Sequence, residues 1–127
     1  MTKNILDMCA HAYIEYYRSQ FKKYAWAVDY AENLIQTNPK AGLPFVFEVL
    51  SISRNEQEIA YVATGIFEEL LHRHIFQIKD DVESAVQENE DIQLALRYVW
   101  AENDSPVSLF LKEMHIKFFA PPQKNIH

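Results

Sequence analysis

A chain of 127 residues with 49% hydrophobic, 13% aromatic and 24% charged residues is too apolar for intrinsic disorder and of a size for one hydrophobic core. Its formal charge of −6 disfavours binding to DNA or RNA, because phosphates would meet a repelling field and no compensating basic stripe. Two glycines, against about nine expected at an average usage of ~7%, leave few positions for positive-φ turns and disfavour a hairpin-rich β fold.

Taken in chain order, the apolar residues fall at helical spacing almost everywhere. Ile5, Met8, Cys9, Ala12, Tyr13, Tyr16 and Tyr17 form the stripe of one amphipathic helix. Ala27, Tyr30, Ala31 and Leu34 make a second, which stops at Asn38-Pro39 because proline disfavours helical backbone in the residue before it. Pro44, a favoured first-turn residue, is expected to open a third helix carrying Phe45, Val49 and Leu50. Asn55 followed by Glu58 reads as a capping box opening the next segment. Ile75, Ile78, Val82, Ala85 and Val86 repeat the period, as do Ile92, Ala95, Leu96, Val99 and Trp100. Ser105-Pro106 opens the last helix, with Val107, Phe110, Leu111, Met114 and Phe118 inward. The expectation is an all-α domain over residues 1–119 with a frayed tail over 120–127. Six or seven short amphipathic helices would pack as antiparallel pairs, in a bundle or a short helical-repeat, HEAT-like array.

The stretch ATGIFEELLHRH, residues 63–74, concentrates the polar chemistry. At ~100° per residue, Ile59, Val62, Ala63, Ile66, Phe67, Leu70, Leu71 and His74 share one face, while Glu58, Tyr61, Gly65, Glu68 and His72 lie opposite, with Glu69 at the border. Glu68 and His72 are an i,i+4 pair. Glu69-x-x-His72 matches half of the carboxylate-histidine motif of di-metal bundles, which needs a second copy and two more inward glutamates; none occurs. The plainer expectation is a solvated face and no metal site. Gly65 in this helix costs about 1 kcal/mol relative to alanine, so either another element passes close to it or the helix breaks there.

These residues also carry a resemblance. Gly65-x-Phe67-Glu68-Glu69-Leu70-Leu71, then His74, Val82, Ala85 and Val99-Trp100, resemble a family of small helical domains of unknown function that share a G-x-L-E-D-L-L pattern, a histidine and a terminal V-W. The resemblance runs from Asn38 to Trp100 and implies an all-α, repeat-like fold. It also implies a helix start after the glycine, with Glu68 in a structural role near that N-terminus. No activity comes with it.

No catalytic arrangement stands out. Cys9 and His11 point apart on a helix, and no serine or histidine sits in a nucleophile-elbow context. Cys9 makes no internal disulfide and lies on the apolar stripe, so an inert buried thiol is expected. With no long apolar N-terminal run, neither a signal peptide nor a membrane span is expected, and the cytoplasm is the default compartment. Tyr13, Tyr16, Tyr17, Phe21, Tyr24 and Trp26 are either core or a partner-binding surface.

Charge is the remaining signal. Residues 80–104 hold Arg97 against Asp80, Asp81, Glu83, Glu88, Glu90, Asp91, Glu102 and Asp104, a local charge of −7 against −6 for the whole chain. Such crowding repels itself and points to a partner of opposite sign, with solubility as the plainer alternative. In character the chain is similar to bacterial immunity proteins, which are often small, acidic and without catalytic motifs. The leading expectation is therefore a non-enzymatic, cofactor-free immunity protein that masks a basic toxin, a nuclease, with these eight acids. A helical adaptor for another cellular protein is the alternative, and a metal-dependent enzyme a distant third.

Overall fold

The architecture comes from a computed structural model that describes residues 2–119 and only the backbone of residues 2–4. The expected fraying of residues 120–127 lies outside the described residues. Among the described residues seven α-helices follow one another: α1 (Thr2–Ser19), α2 (Trp26–Thr37), α3 (Pro39–Ser51), α4 (Glu56–Val62), α5 (Glu68–Glu88), α6 (Glu90–Tyr98) and α7 (Pro106–Met114). A 3-10 turn, Lys22–Tyr24, precedes α2, and π-turns occupy Ala63–Phe67 and His115–Phe119. Among the described residues there is no strand, and the all-α expectation holds.

Side chains set most boundaries. Gln20 takes a left-handed conformation (φ 60°) and donates its N–H to the Tyr16 carbonyl at 2.8 Å, which closes α1. Asn55 caps α4 by accepting from Glu58 N at 2.9 Å, and Ser105 caps α7 by accepting from Ser108 N at 3.1 Å. The third helix starts earlier than Pro44. Asn38 accepts from Ala41 N at 3.2 Å and Pro39 takes the first helical position, so Pro44 lies inside α3. Pro44 is exposed, where water can serve the Lys40 carbonyl that a proline five residues into a helix leaves without its donor.

The stripe on α1 is rotated only in part from the expected one: Cys9, Ala12 and Tyr13 are buried as expected, while Ala10 and Ile14 take the places expected for Ile5 and Met8. Cys9, Ala10, Tyr13 and Ile14 are buried, whereas Ile5 and Met8 are 49% and 63% exposed. Tyr30 and Trp100, expected inward, are also exposed. The core gathers Ile14, Ile35, Phe45, Leu50, Phe67, Leu70, Leu71 and Met114 into one cluster. A repeat array would confine contacts to neighbouring helix pairs. Here α2 also touches α5 and α3 also touches α6, which makes the fold a bundle around one core.

One ionic group lies inside the bundle. Arg18, at the end of α1, donates from Nε to Glu58 Oε2 at 2.8 Å and from Nη2 to Glu58 Oε1 at 2.9 Å. Nη2 also reaches the Ile52 carbonyl at 3.1 Å, and Arg54 N donates to Glu58 Oε1 at 2.8 Å. The fork thus ties α1 to the α3–α4 junction. Glu58, placed by the sequence on a solvated face, is 6% exposed, because its carboxylate is fully supplied with donors. The hydrogen bonds from Arg18 hold the Glu58 carboxyl below its usual range despite the opposing effect of burial.

A depressed folded-state pKa contributes stability above the unfolded glutamate value of about 4.3 and loses it as pH falls through the folded value. Chemical denaturation between neutral pH and pH 3 should therefore show wild type losing stability in that window and Glu58→Gln losing less of it. Arg18→Ala, which strands the buried carboxylate, should destabilise by about 3 kcal/mol at neutral pH. The double change Arg18→Met with Glu58→Leu should recover much of that loss.

Candidate functional site

The outer face of segment 63–74 is solvated at Thr64, Gly65, His72 and Arg73, as expected, and it also serves as a junction. From Val62 (φ −63°, ψ −43°) through Phe67 (φ −68°, ψ −46°) to Glu68 (φ −59°, ψ −44°) the backbone stays right-handed helical. The helix therefore widens into a π-turn at Gly65 and does not break there. The break falls at His74 (φ −136°, ψ 24°). Its ring donates from Nε2 to the Ile35 carbonyl at 2.9 Å. Residue 39, four positions after Ile35, is proline and has no N–H, so His74 supplies the donor that the end of α2 lacks.

Glu68 and His72 act together on one distant residue. Glu68 Oε1 accepts from Trp100 N at 2.9 Å, and His72 Nε2 donates to the Trp100 carbonyl at 2.8 Å. The i,i+4 spacing that puts both side chains on one helix face lets them grip the chain just after α6, with the Trp100 indole left outside. Glu68 therefore has a structural role, but by clamping Trp100 rather than by facing a helix N-terminus. Glu69 pairs with Arg73 at 2.8 Å. Among the described residues, no three His, Cys, Asp or Glu side chains gather as metal ligands.

The eight acids of residues 80–104 do not behave alike. Asp80, Asp81 and Glu88 are exposed and fall within an arc of about 100° on α5. Glu83 points away from that arc and pairs with Lys117 at 2.8 Å. Glu90 and Asp91 are exposed in the first turn of α6, where negative charge suits the helix dipole. Glu102 and Asp104 are exposed in the loop before α7, and Asp104 tolerates a left-handed conformation (φ 67°). Except for Glu83, none of the eight forms an ion pair among the described residues. Glu88 stands in the last turn of α5, which holds no base, so its charge opposes the dipole and does nothing for the helix.

The aromatic residues divide between core and surface. Tyr13 is buried, Tyr16, Tyr17 and Tyr24 are half-buried, and Phe21 and Trp26 are exposed. Tyr17 stacks on Tyr61 with ring centroids 4.1 Å apart. Cys9 is buried, and burial raises its thiol pKa, which suppresses thiolate chemistry. No helix among the described residues is long and apolar enough to cross a membrane.

Two features were missed from the sequence. Arg18 continues the inward row Leu6, Ala10, Ile14 at i,i+4 steps, in which Leu6 is half-buried and Ala10 and Ile14 buried, a position at which a cation needs a partner. A groove of about 520 Å³ borders Tyr13, Tyr61, Glu32, Glu68, Glu69 and His72, with Gly65 beside it; its residues come from three segments that no spacing rule joins.

Comparison with known proteins gives one positive result. Residues 15–109 match a family described as "Family of unknown function (DUF6869)", and the chain belongs to that family. No curated protein and no solved structure matches it.

Gly65→Ala should raise the midpoint of thermal unfolding, by up to about 1 kcal/mol of stability, because an added Cβ would meet only Tyr13 Oη at 3.7 Å. Glu68→Ala should speed amide exchange at Trp100 more than at the α3 core. Equal protection at Trp100 in both proteins would refute the clamp.

Proposed function

We propose that the chain is a binding protein for a basic protein partner, and that the partner is a toxin with a nuclease-like cationic surface, which makes this chain its immunity protein. The observation that carries the reading is the outer arc of α5. Asp80, Asp81 and Glu88 stand exposed with no ion pair among the described residues, and Glu88 opposes its own helix dipole. Acids that do not help the fold are free to meet a cationic surface. Glu90, Asp91, Glu102 and Asp104 extend the negative field, and the partner's phosphate-binding site would be masked where these acids replace substrate phosphate. Action in the cytoplasm, where a nuclease finds its substrate, belongs to the same proposal, as does the absence of any catalytic or cofactor role.

A second reading, an adaptor with no toxin link, draws on an adjoining surface that shares Asp81 with the outer arc. A groove of about 540 Å³ between α3 and α5, lined by Leu43, Pro44, Phe47 and Ile78 with Lys40 and Asp81 at its margin, suits an apolar segment of another protein. Salt separates the two, since exposed charge pairs are screened at high ionic strength and apolar contacts are not.

Co-expression with the product of the neighbouring gene tests the immunity reading through survival of the cells and co-purification of a complex. Reversing Asp80, Asp81 and Glu88 to lysine should slow association at least about tenfold and weaken rescue, with far-UV circular dichroism unchanged. Full rescue by this variant, or binding indifferent to salt, would refute a contact through the outer arc.

A further inference from the structure

Gly65 sits mid-way along a continuous helical segment, yet nothing in its backbone or packing calls for glycine. Its φ is not positive, and a Cβ there would make one ordinary contact, with Tyr13 Oη at 3.7 Å. A larger side chain would enter the groove of about 520 Å³ beside α1, α2 and the π-turn. The glycine therefore keeps that groove open down to Tyr13, and π-turns of this kind recur at functional sites.

Tyr13 forms the floor. Its ring packs edge-on against Phe45, centroids 6.1 Å apart, and beside Tyr61 at 5.8 Å, so that only 4% of the residue is exposed. Its hydroxyl has the Tyr61 side chain as polar neighbour, and a phenol retains further acceptor capacity beyond one partner. Burial, then Tyr61 and Glu32, push its pKa upward, so the hydroxyl stays neutral and able to accept a hydrogen bond.

The walls are anionic. Glu32 is exposed on α2 and has no ion pair among the described residues. Glu68 gives one oxygen to Trp100 N, which leaves its charge uncancelled. Glu69 is paired outward with Arg73. No lysine or arginine lines this groove, and His72 is turned to the Trp100 carbonyl. Carboxylates flanking an aromatic face exclude anions and leave neutral ligands without compensation for the charge. They suit a planar or tetrahedral nitrogen cation on an alkyl stem.

We propose that this groove receives one arginine or lysine side chain of a protein partner, with the cationic head between Glu32 and Glu68, an N–H directed to the Tyr13 hydroxyl and the stem against Tyr61. The assignment requires a cation but not a toxin. It involves residues away from the outer arc of α5, so it stands or falls separately from that surface.

Amide shift mapping by NMR tests it with three probes: a blocked Gly-Arg-Gly peptide, the same peptide with citrulline for arginine, and free agmatine. The arginine peptide should perturb residues 32, 61 and 64–69. Binding should weaken at least about tenfold in Glu32→Gln and disappear in Gly65→Leu, which fills the groove while keeping a good helix former at an exposed position. Charge reversal at Asp80, Asp81 and Glu88 should leave these shifts in place. The proposal is overturned by absence of shifts, by equal shifts with the citrulline peptide, by unchanged affinity in both groove variants, or by shifts centred on residues 80–91. Tighter binding of agmatine than of the peptide would overturn its assignment to a protein side chain.

Discussion

Among the described residues, Glu58 carries the one charge classed as buried, and the arrangement of the first four helices follows from where its carboxylate finds its donors. An isolated buried carboxylate would be several kcal/mol too costly for a domain of ordinary stability. The fork from Arg18 and the Arg54 amide together make it tolerable. Because those donors come from the end of α1 and from the α3–α4 junction, the carboxylate fixes the register between elements forty residues apart. A two-pronged ion pair is directional, so it adds a geometric constraint to the one that apolar packing supplies.

The same device recurs at smaller scale. Where the chain leaves a backbone group unserved, a side chain from another helix supplies it: His74 reaches the Ile35 carbonyl stranded by Pro39, and Gln93, on the following helix, reaches the Val86 carbonyl at the end of α5, at 2.7 Å. Glu68 and His72 hold both polar groups of Trp100. Short helices expose many unpaired ends for their length, and this bundle closes several of them with polar bridges. The histidines and acids of residues 63–74 are largely engaged in such bridges, which is why a segment that looks reactive in sequence reads as a junction in the fold.

Local features were legible in the sequence and long-range pairings were not. The caps at Asn55 and Ser105, the stop at Asn38-Pro39 and the inward rows of α5, α6 and α7 depend on residues a few positions apart. The row on α1 was misplaced because Ile5, Met8 and Tyr16 give nearly the same helical period as Leu6, Ala10 and Ile14, and only tertiary packing chooses between two stripes a fraction of a turn apart. Pro44 misled because proline is favoured in the first turn of a helix, whereas Pro39 with its Asn38 cap is the better start. The acids of residues 80–104 were visible as a charge excess. That Glu83 turns to Lys117 while Asp80, Asp81 and Glu88 remain open follows from the placement of the last π-turn, which no pattern in the sequence encodes.

The account separates acids that hold the fold, such as Glu58 and Glu68, from acids that the fold merely displays. Denaturant unfolding of the triple variant Asp80→Asn, Asp81→Asn, Glu88→Gln at low and moderate salt tests that separation most directly. The midpoint should equal or exceed that of wild type, with the larger gain at low salt, because mutual repulsion is removed and no native partner is lost. A midpoint below wild type at both salt concentrations would mean that these carboxylates stabilise the bundle, and would contradict their reading as a surface kept for a cationic partner.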